Sequence, residues 1–223
     1  MPEFANKNAA ENVSTTRGVK GGYMFKAPLG TTDLPTAENF TTWVPSDAWI
    51  NQGYIPEDGF TESVEFGDTT ELRDINLDAV DSSTGGATET MQVGLMEINS
   101  RSLATEYGSA NVTDENGVIT VEHDWSNLNE SFMFAFLLLL KNGRKWVKLI
   151  RQGKVTEVGE FAGNATTAAQ RTVTITYTKP DDASACVDYI ESNDTQLAEG
   201  ENTDTPANPD TPADPDATDV PTA

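Results

Sequence analysis

The chain has 223 residues, a formal net charge of −22 and 37% hydrophobic residues, with one cysteine and one histidine. That length suits one sizeable domain plus a tail, and the acidic balance argues against a nucleic-acid reader, whose affinity comes from cations that displace counterions at phosphates. Cys186 is alone, so no intrachain disulfide can form, and no apolar run approaches the roughly 20 residues of a membrane-spanning helix.

Residues 1–20 are polar and lack apolar periodicity, which predicts an arm ordered only by docking. Gly21-Gly22 ends it. Residues 23–27 read as a short strand, residues 28–35 (Pro-Leu-Gly-Thr-Thr-Asp-Leu-Pro) as a long loop, and residues 49–55 as a second strand closed by the turn Pro56-Glu57-Asp58-Gly59. Residues 60–66 alternate over part of their length and are expected to complete a hairpin with residues 49–55, acids on one face. Residues 72–80 read as a strand and residues 81–86 as a loop, after which Met91, Val93 and Leu95 alternate. Asn99 or Ser100 can cap a helix over 101–107, where Leu103 and Tyr107 share a face and Gly108 suits the stop.

The apolar run Phe132 to Leu140 follows residues 118–121, stops at Lys141-Asn142-Gly143-Arg144 and resumes as Trp146, Val147, Leu149 and Ile150. The Asn-Gly pair predicts a tight primed turn and hence a β-hairpin. Lys141, Arg144, Lys145, Lys148, Arg151 and Lys154 make it a positive island. A further strand is expected over 154–161 after a turn at Gln152-Gly153, and the threonine-rich alternation of residues 171–178 is the clearest strand in the chain. Residues 181–223 hold twelve of the 36 acids and no Lys or Arg. Three imperfect six-residue units from Asp204 onward repeat Pro, Thr and Asp, a composition that builds no core. The expectation is a mainly β chain, an antiparallel sandwich or barrel with one short α-helix. It divides into an arm (1–20), a β domain (21–192) and a disordered acidic tail (193–223).

Catalytic devices are hard to assemble from this composition. A Ser/His/Asp arrangement would have to use His123, and zinc needs more His and Cys than are present. No phosphate-cradling Gly-rich loop with its lysine occurs. No enzyme, metal or cofactor is expected. Six Asn-X-Ser/Thr triplets, at Asn12, Asn39, Asn111, Asn129, Asn164 and Asn193, are chance products of a Thr-rich chain without a signal peptide, and manufacture in a cytoplasm is expected.

At residues 22–35 (Gly-Tyr-Met-Phe-Lys-Ala-Pro-Leu-Gly-Thr-Thr-Asp-Leu-Pro) the sequence resembles the major tail, or tail tube, proteins of long-tailed phages, especially those of actinobacterial hosts. The resemblance continues at Gly53-Tyr54-Ile55-Pro56-Glu57-Asp58-Gly59, at residues 95–99 and at residues 153–159, and so spans roughly residues 18–190. It implies six copies in a ring and rings stacked into a tube that conducts DNA without binding it specifically. The other implied partners are further tail proteins (tape measure, tail terminator and distal tail), with no membrane, and assembly in the bacterial cytoplasm before incorporation into the virion.

Under that resemblance, Pro28, Leu29, Gly30, Leu34, Glu57, Asp58, Lys141, Arg144, Lys145, Lys148 and Arg151 are candidate subunit contacts, and Glu62, Glu65, Asp68 and Glu71 candidate lumen-facing acids. The cations are expected to meet Glu57, Asp58, Glu62 or Glu65 of an adjacent subunit. Two other readings compete: a cell-surface or carbohydrate-binding all-β module using the four tryptophans, and a hydrolase centred on His123.

Overall fold

An apolar run without alternation suits a strand buried on both faces, and the computed structural model places it so. The structure describes residues 14–19, 23–76, 78–127, 130–161 and 168–192. Most of the expected arm, the tail beyond residue 192, and Asn12, Asn129, Asn164 and Asn193 lie outside the described residues. The chain divides into Met1–Glu191, which holds every described element, and Ser192–Ala223.

In chain order the described strands are β1 (Arg17–Gly18), β2 (Met24–Pro28), β3 (Ile50–Asn51), β4 (Phe60–Phe66), β5 (Thr69–Arg73), β6 (Ala79–Thr84) and β7 (Ala87–Leu95), then β8 (Val112–Glu115), β9 (Val118–Val121), β10 (Ser131–Leu139), β11 (Lys145–Val158), β12 (Arg171–Tyr177) and β13 (Cys186–Ile190). All their pairings are antiparallel. The main sheet runs β3-β2-β10-β11-β12-β7-β4, with β1 added to β10 and β13 to β11. The mainly β, antiparallel fold with a single described α-helix, α1 (Ser100–Tyr107), is as the sequence predicts.

Strand β10 separates two apolar layers. Phe134, Phe136 and Leu138 point into a core with Met24, Met91, Val93, Leu95, Ile150, Val173 and Ile175, while Met133 and Ala135 face a second layer with Trp43, Trp49, Val147 and Leu149. The first layer is the inside of the curled sheet: Phe60 of β4 meets Phe136 of β10 with ring centroids 5.5 Å apart. The second is the outer face, roofed by residues 33–49. Residues 52–54 bridge the two ends of the sheet, Gln52 N–H donating to the Met24 carbonyl and Met96 N–H to the Tyr54 carbonyl.

Several expected elements are corrected. The β10–β11 connection is not a two-residue primed turn. Lys141–Gly143 forms a 3-10 turn with Gly143 at φ +80°, closed by Leu140 N–H on the Arg144 carbonyl. A turn with two positive φ values lies instead at Asn116 (+54°) and Gly117 (+76°), joining β8 to β9.

Gln152-Gly153 is no turn. It lies inside β11, because a Cβ at Gly153 would come within 2.8 Å of Ile175 and 3.0 Å of Phe134, so glycine lets neighbouring core side chains cross the strand. The strand expected at 49–55 shrinks to Ile50–Asn51, since Gly53 turns the chain at φ +91°. Accordingly β4 pairs with β7 rather than with that segment. Residues 72–86, expected as one strand and a loop, instead contribute the end of β5 and all of β6 to a hairpin around Asp74, whose carboxylate accepts from Asn76 N–H (2.8 Å) and Asp78 N–H (2.9 Å). The helix stands as expected: Asn99 caps Arg101 and Ser102 N–H, both at 3.0 Å, and Gly108 ends it at φ +93°.

Candidate assembly surfaces

The positive island is largely consumed within the chain. Lys148 is 2% exposed on β11, and its ammonium donates to Glu62 of β4 at 2.9 and 3.0 Å and to Asp188 of β13 at 2.9 Å. Tyr177 of β12 donates its hydroxyl to Glu62 at 2.7 Å, and Trp146 Nε1 donates to Asp188 at 2.6 Å. Burial opposes the charge on Lys148, but the two carboxylate hydrogen bonds outweigh it and raise its pKa. Burial and then the Glu62 carboxylate raise that of Tyr177. Four strands are thus tied by one cation.

The expectation that Lys148 and Glu62 meet across subunits is therefore corrected: they pair within one chain. Arg144 and Arg151 also donate within the chain, to the Glu191 and Ser184 carbonyls. Lys145, exposed, donates its ammonium to the Thr41 carbonyl, and Lys141 is exposed. The missed strand β13 was signalled by Val187 and Tyr189 alternating with Asp188. Its pairing depends on a lysine and a tryptophan forty residues away.

Glu62 and Glu65 leave β4 on opposite faces. Glu62 lies opposite buried Met91, and Glu65 opposite exposed Thr88. The acids of β4 therefore do not share a face. Asp68 and Glu71 sit further out on the β5–β6 hairpin, where Glu71 contacts Arg73.

That hairpin and the outer half of β4 form an arm exposed along its length. Phe66 is 74% exposed, Leu72 63%, Val80 61% and Ile75 96%, the last held out by the Asp74 turn. A two-stranded hairpin is marginally stable alone in water, and exposed apolar side chains along it suit a contact surface.

A second apolar feature lies between residues 40–45 and the central strands β10 and β11, a groove of about 290 Å³. It is lined by Phe40, Trp43, Val44, Leu137 and Trp146 among others, with Lys145 at its edge.

The loop expected at 28–35 is better supported than its sequence suggests. Pro28, Leu29 and Gly30 are exposed, whereas Leu34 packs on the second layer and Pro35 is buried. Asp33 accepts from Trp43 Nε1 (3.1 Å) and Ser46 N–H (3.1 Å), and its carbonyl accepts from Trp49 Nε1 (2.9 Å). Desolvation of Asp33 is outweighed by the Ser46 and Trp43 hydrogen bonds, which hold its carboxyl below the usual range. Glu57 and Asp58 stand exposed in the turn before Gly59.

Other singled-out residues have structural settings. Trp43 and Trp49 are buried edge to face with centroids 5.6 Å apart, and Trp146 is half-buried, leaving Trp125 as the more exposed indole. His123 packs against Tyr107 with centroids 4.9 Å apart. Asn111 is 4% exposed and donates to the Tyr107 and Asp124 carbonyls, so its triplet offers no accessible amide. Burial pushes the Cys186 thiol up to about 12, making it a poor nucleophile. Among the described residues no group of His, Cys, Asp or Glu is placed to hold a metal ion, and no helix is long and apolar enough to cross a membrane.

The sequence matches the family described as phage tail tube protein over residues 9–201. The chain belongs to the phage tail tube protein family. As a tail tube protein it is a structural component of the virion tail. No curated protein matches it in sequence.

Its fold is similar to a chain in the cryo-EM structure of an extracellular contractile injection system, the PVC sheath-tube complex in its extended state. That likeness has 11% identity, coverage of 78% of this tail tube protein and 92% of that chain, and a TM-score of 0.37. A chain of the anti-feeding prophage cap, the AFP tube-terminating cap, is similar at 12% identity, 86% and 100% coverage, and a TM-score of 0.41. Both superpositions are loose, and the assignment rests on the family match.

Proposed function

We infer that this tail tube protein assembles head to tail into rings, six copies in each, that stack into the tube of a long-tailed phage of the actinobacterial-host type and conduct DNA during ejection. The observation that carries this reading is the arm: its apolar groups, Ile75 at 96% exposure among them, are left exposed by the described residues of their own chain. A second copy can cover them, and the groove beside Val44 and Trp43 is the acceptor that its size and apolar lining favour. Arm acids Asp74, Asp78 and Asp81 would then approach Lys145, the cation that lines the groove, giving orientation and encounter rate more than affinity. Donor and acceptor are different surfaces, and such heterologous contacts propagate as rings or helical tubes.

In this reading Pro28, Leu29, Gly30, Glu57 and Asp58 belong to further subunit contacts. The arm 1–20 reaches a neighbouring ring, the domain 21–192 forms the wall, and the tail 193–223 stays outside the tube, where its acids remain solvated. Tape measure, terminator and distal tail proteins are the remaining partners, and assembly takes place in the host cytoplasm. The role is structural rather than catalytic. Electron microscopy of the purified chain tests it. Rings and hollow tubes that disappear on Ile75→Asp are expected, and a monodisperse monomer at every concentration and salt would refute assembly.

A further inference from the structure

The buried ammonium of Lys148 meets two carboxylates, and the two are held differently. Lys148 and Asp188 stand directly opposite each other in the β11–β13 ladder, so their side chains share a face with Cβ atoms about 5 Å apart. Only one oxygen of Asp188, Oδ2, accepts from the ammonium, at 2.9 Å, and the other, Oδ1, accepts from Trp146 Nε1 at 2.6 Å. The carboxyl carbon lies one bond of about 1.2 Å behind Oδ2, and so within roughly 4 Å of Nζ. Glu62 reaches the same nitrogen with both oxygens, at 2.9 and 3.0 Å, and its Oε1 also accepts from the Tyr177 hydroxyl at 2.7 Å. An amine, an oriented carboxyl, an N–H donor on the far oxygen and a second carboxylate on the amine are the groups that amide formation uses.

We propose that Lys148 and Asp188 condense to an amide, a covalent cross-link between β11 and β13, with Glu62 as the proton carrier. The ion-paired chain is the starting form, and its amine is protonated. Nζ first gives a proton along its hydrogen bond to Asp188 Oδ2, leaving a neutral amine beside a neutral acid. The freed lone pair attacks Cγ, and negative charge gathers on Oδ1, where the Trp146 N–H already donates. Glu62 takes a second proton from the nitrogen and delivers it to Oδ2, the Cγ–Oδ2 bond breaks, and water leaves. One C–N bond forms, one C–O bond breaks, and two protons depart with Oδ2, so no oxidant, reductant or cofactor takes part.

Hydration of both ions opposes such a condensation in bulk water. At 2% exposure Lys148 has already lost its water, and neutralising a desolvated pair relieves that cost. The ladder register supplies proximity and orientation. Strand β13 has β11 as its only partner among the described strands, and a single cysteine leaves the chain no intrachain disulfide with which to secure it. An amide between residues 40 apart does what a disulfide would, restricting the unfolded chain and holding the closing strand of the domain. The cross-link belongs to one subunit and is independent of assembly.

The test is the intact mass of the purified full chain, followed with time after folding at neutral pH. The mass should fall by that of one water, and a tryptic digest should leave Lys148 uncut, in a branched peptide joined through Asp188. Asp188→Ala and Lys148→Arg should stay at full mass, and Glu62→Gln should convert at least about a hundredfold more slowly. A folded parent chain that keeps its full mass would overturn the proposal whatever the variants do. So would a water lost as a cyclic imide at Asp58-Gly59, which leaves the two peptides separate, or a branch at Glu62 in place of Asp188. Conversion of Glu62→Gln at the parent rate would overturn its role as proton carrier.

Discussion

Lys26 offers a test of the fold's electrostatics that does not depend on assembly. It lies on β2 opposite Phe134, 5% exposed, with its ammonium 4.4 Å from the Phe132 ring centroid. Burial lowers its pKa from 10.5 to about 8, opposed by the charge of Glu130. That fall corresponds to roughly 3 kcal/mol of disfavour for the protonated form in the native state relative to the unfolded one.

Below pH 8 both states hold the proton and the whole cost is present. Between pH 8 and 10.5 the unfolded chain still binds a proton that the native state has released, so the contribution of Lys26 to stability rises with pH and its cost is gone above 10.5. Lys26→Met keeps the side-chain length and removes the charge. It should stabilise the subunit by about 2 to 3 kcal/mol at pH 6 to 7, with the gain shrinking toward zero near pH 10.5.

Cys186, raised from 9.0 to about 12, keeps its proton in the native state over part of the same range and pulls stability the opposite way. The informative quantity is therefore the difference between variant and parent in urea titrations of dilute subunits at each pH. A variant that is less stable than the parent at pH 7, or a gain independent of pH, would refute the reasoning.

Lys148→Met should cost about 2 to 4 kcal/mol in the same titrations, below the full value for a broken buried pair because Glu62 and Asp188 are each about a third exposed and can rehydrate; a neutral result would show the four-strand tie to be dispensable. Asn99→Ala should cost about 1 kcal/mol by uncovering Arg101 and Ser102 N–H, read as a lower urea midpoint with unchanged slope. Gly153→Ala should cost about 1 to 3 kcal/mol by overpacking against Phe134 and Ile175, and no loss would mean that both side chains yield freely. Glu106 has its carboxyl raised to about 7 by burial, against the lowering effect of Arg171, so native Glu106 keeps a proton that the unfolded chain loses between pH 4.5 and 7. Parent stability should carry a term that falls as pH rises through that window, and Glu106→Gln should abolish it.

Local rules carried part of this fold. The Asn99 cap, the Gly108 stop and the alternation at 171–177 are encoded within a few residues of where they act, and the helix and β12 lie where the sequence puts them. The misread turns have a common cause. Asn142-Gly143 and Gln152-Gly153 carry the same local signal, yet tertiary packing decides each: one becomes a longer loop with a 3-10 turn, and the other passes through a strand beneath Phe134. The arm was missed because Asp81 to Ser83 are poor strand formers, and their pairing with residues 70–72 depends on the Asp74 turn. The cation cluster was legible as charge but not as destination, since the partners of Lys148 are 86 and 40 residues away.

The placement of Lys148 also says why so acidic a chain keeps a buried cation. Apolar replacement of the whole cluster, Lys148 together with Glu62 and Asp188, would often be as stable, so stability alone does not account for it. Its partners identify the specific element it orients: Glu62 lies on the strand that extends into the arm, and Asp188 on the strand that closes the domain. Strand β4 is an edge strand whose outer residues are exposed, and a one-residue slip of its pairing with β7 would move Phe60 and Glu62 to the opposite face. Such a slip would part Glu62 from both Lys148 and Tyr177 and leave the ammonium with one carboxylate, an outcome costly enough to fix the register. The direction of the arm, and with it any contact made by Ile75 far from the core, is therefore set at the root of β4 by Phe60 packed on Phe136 together with the buried charge of Lys148.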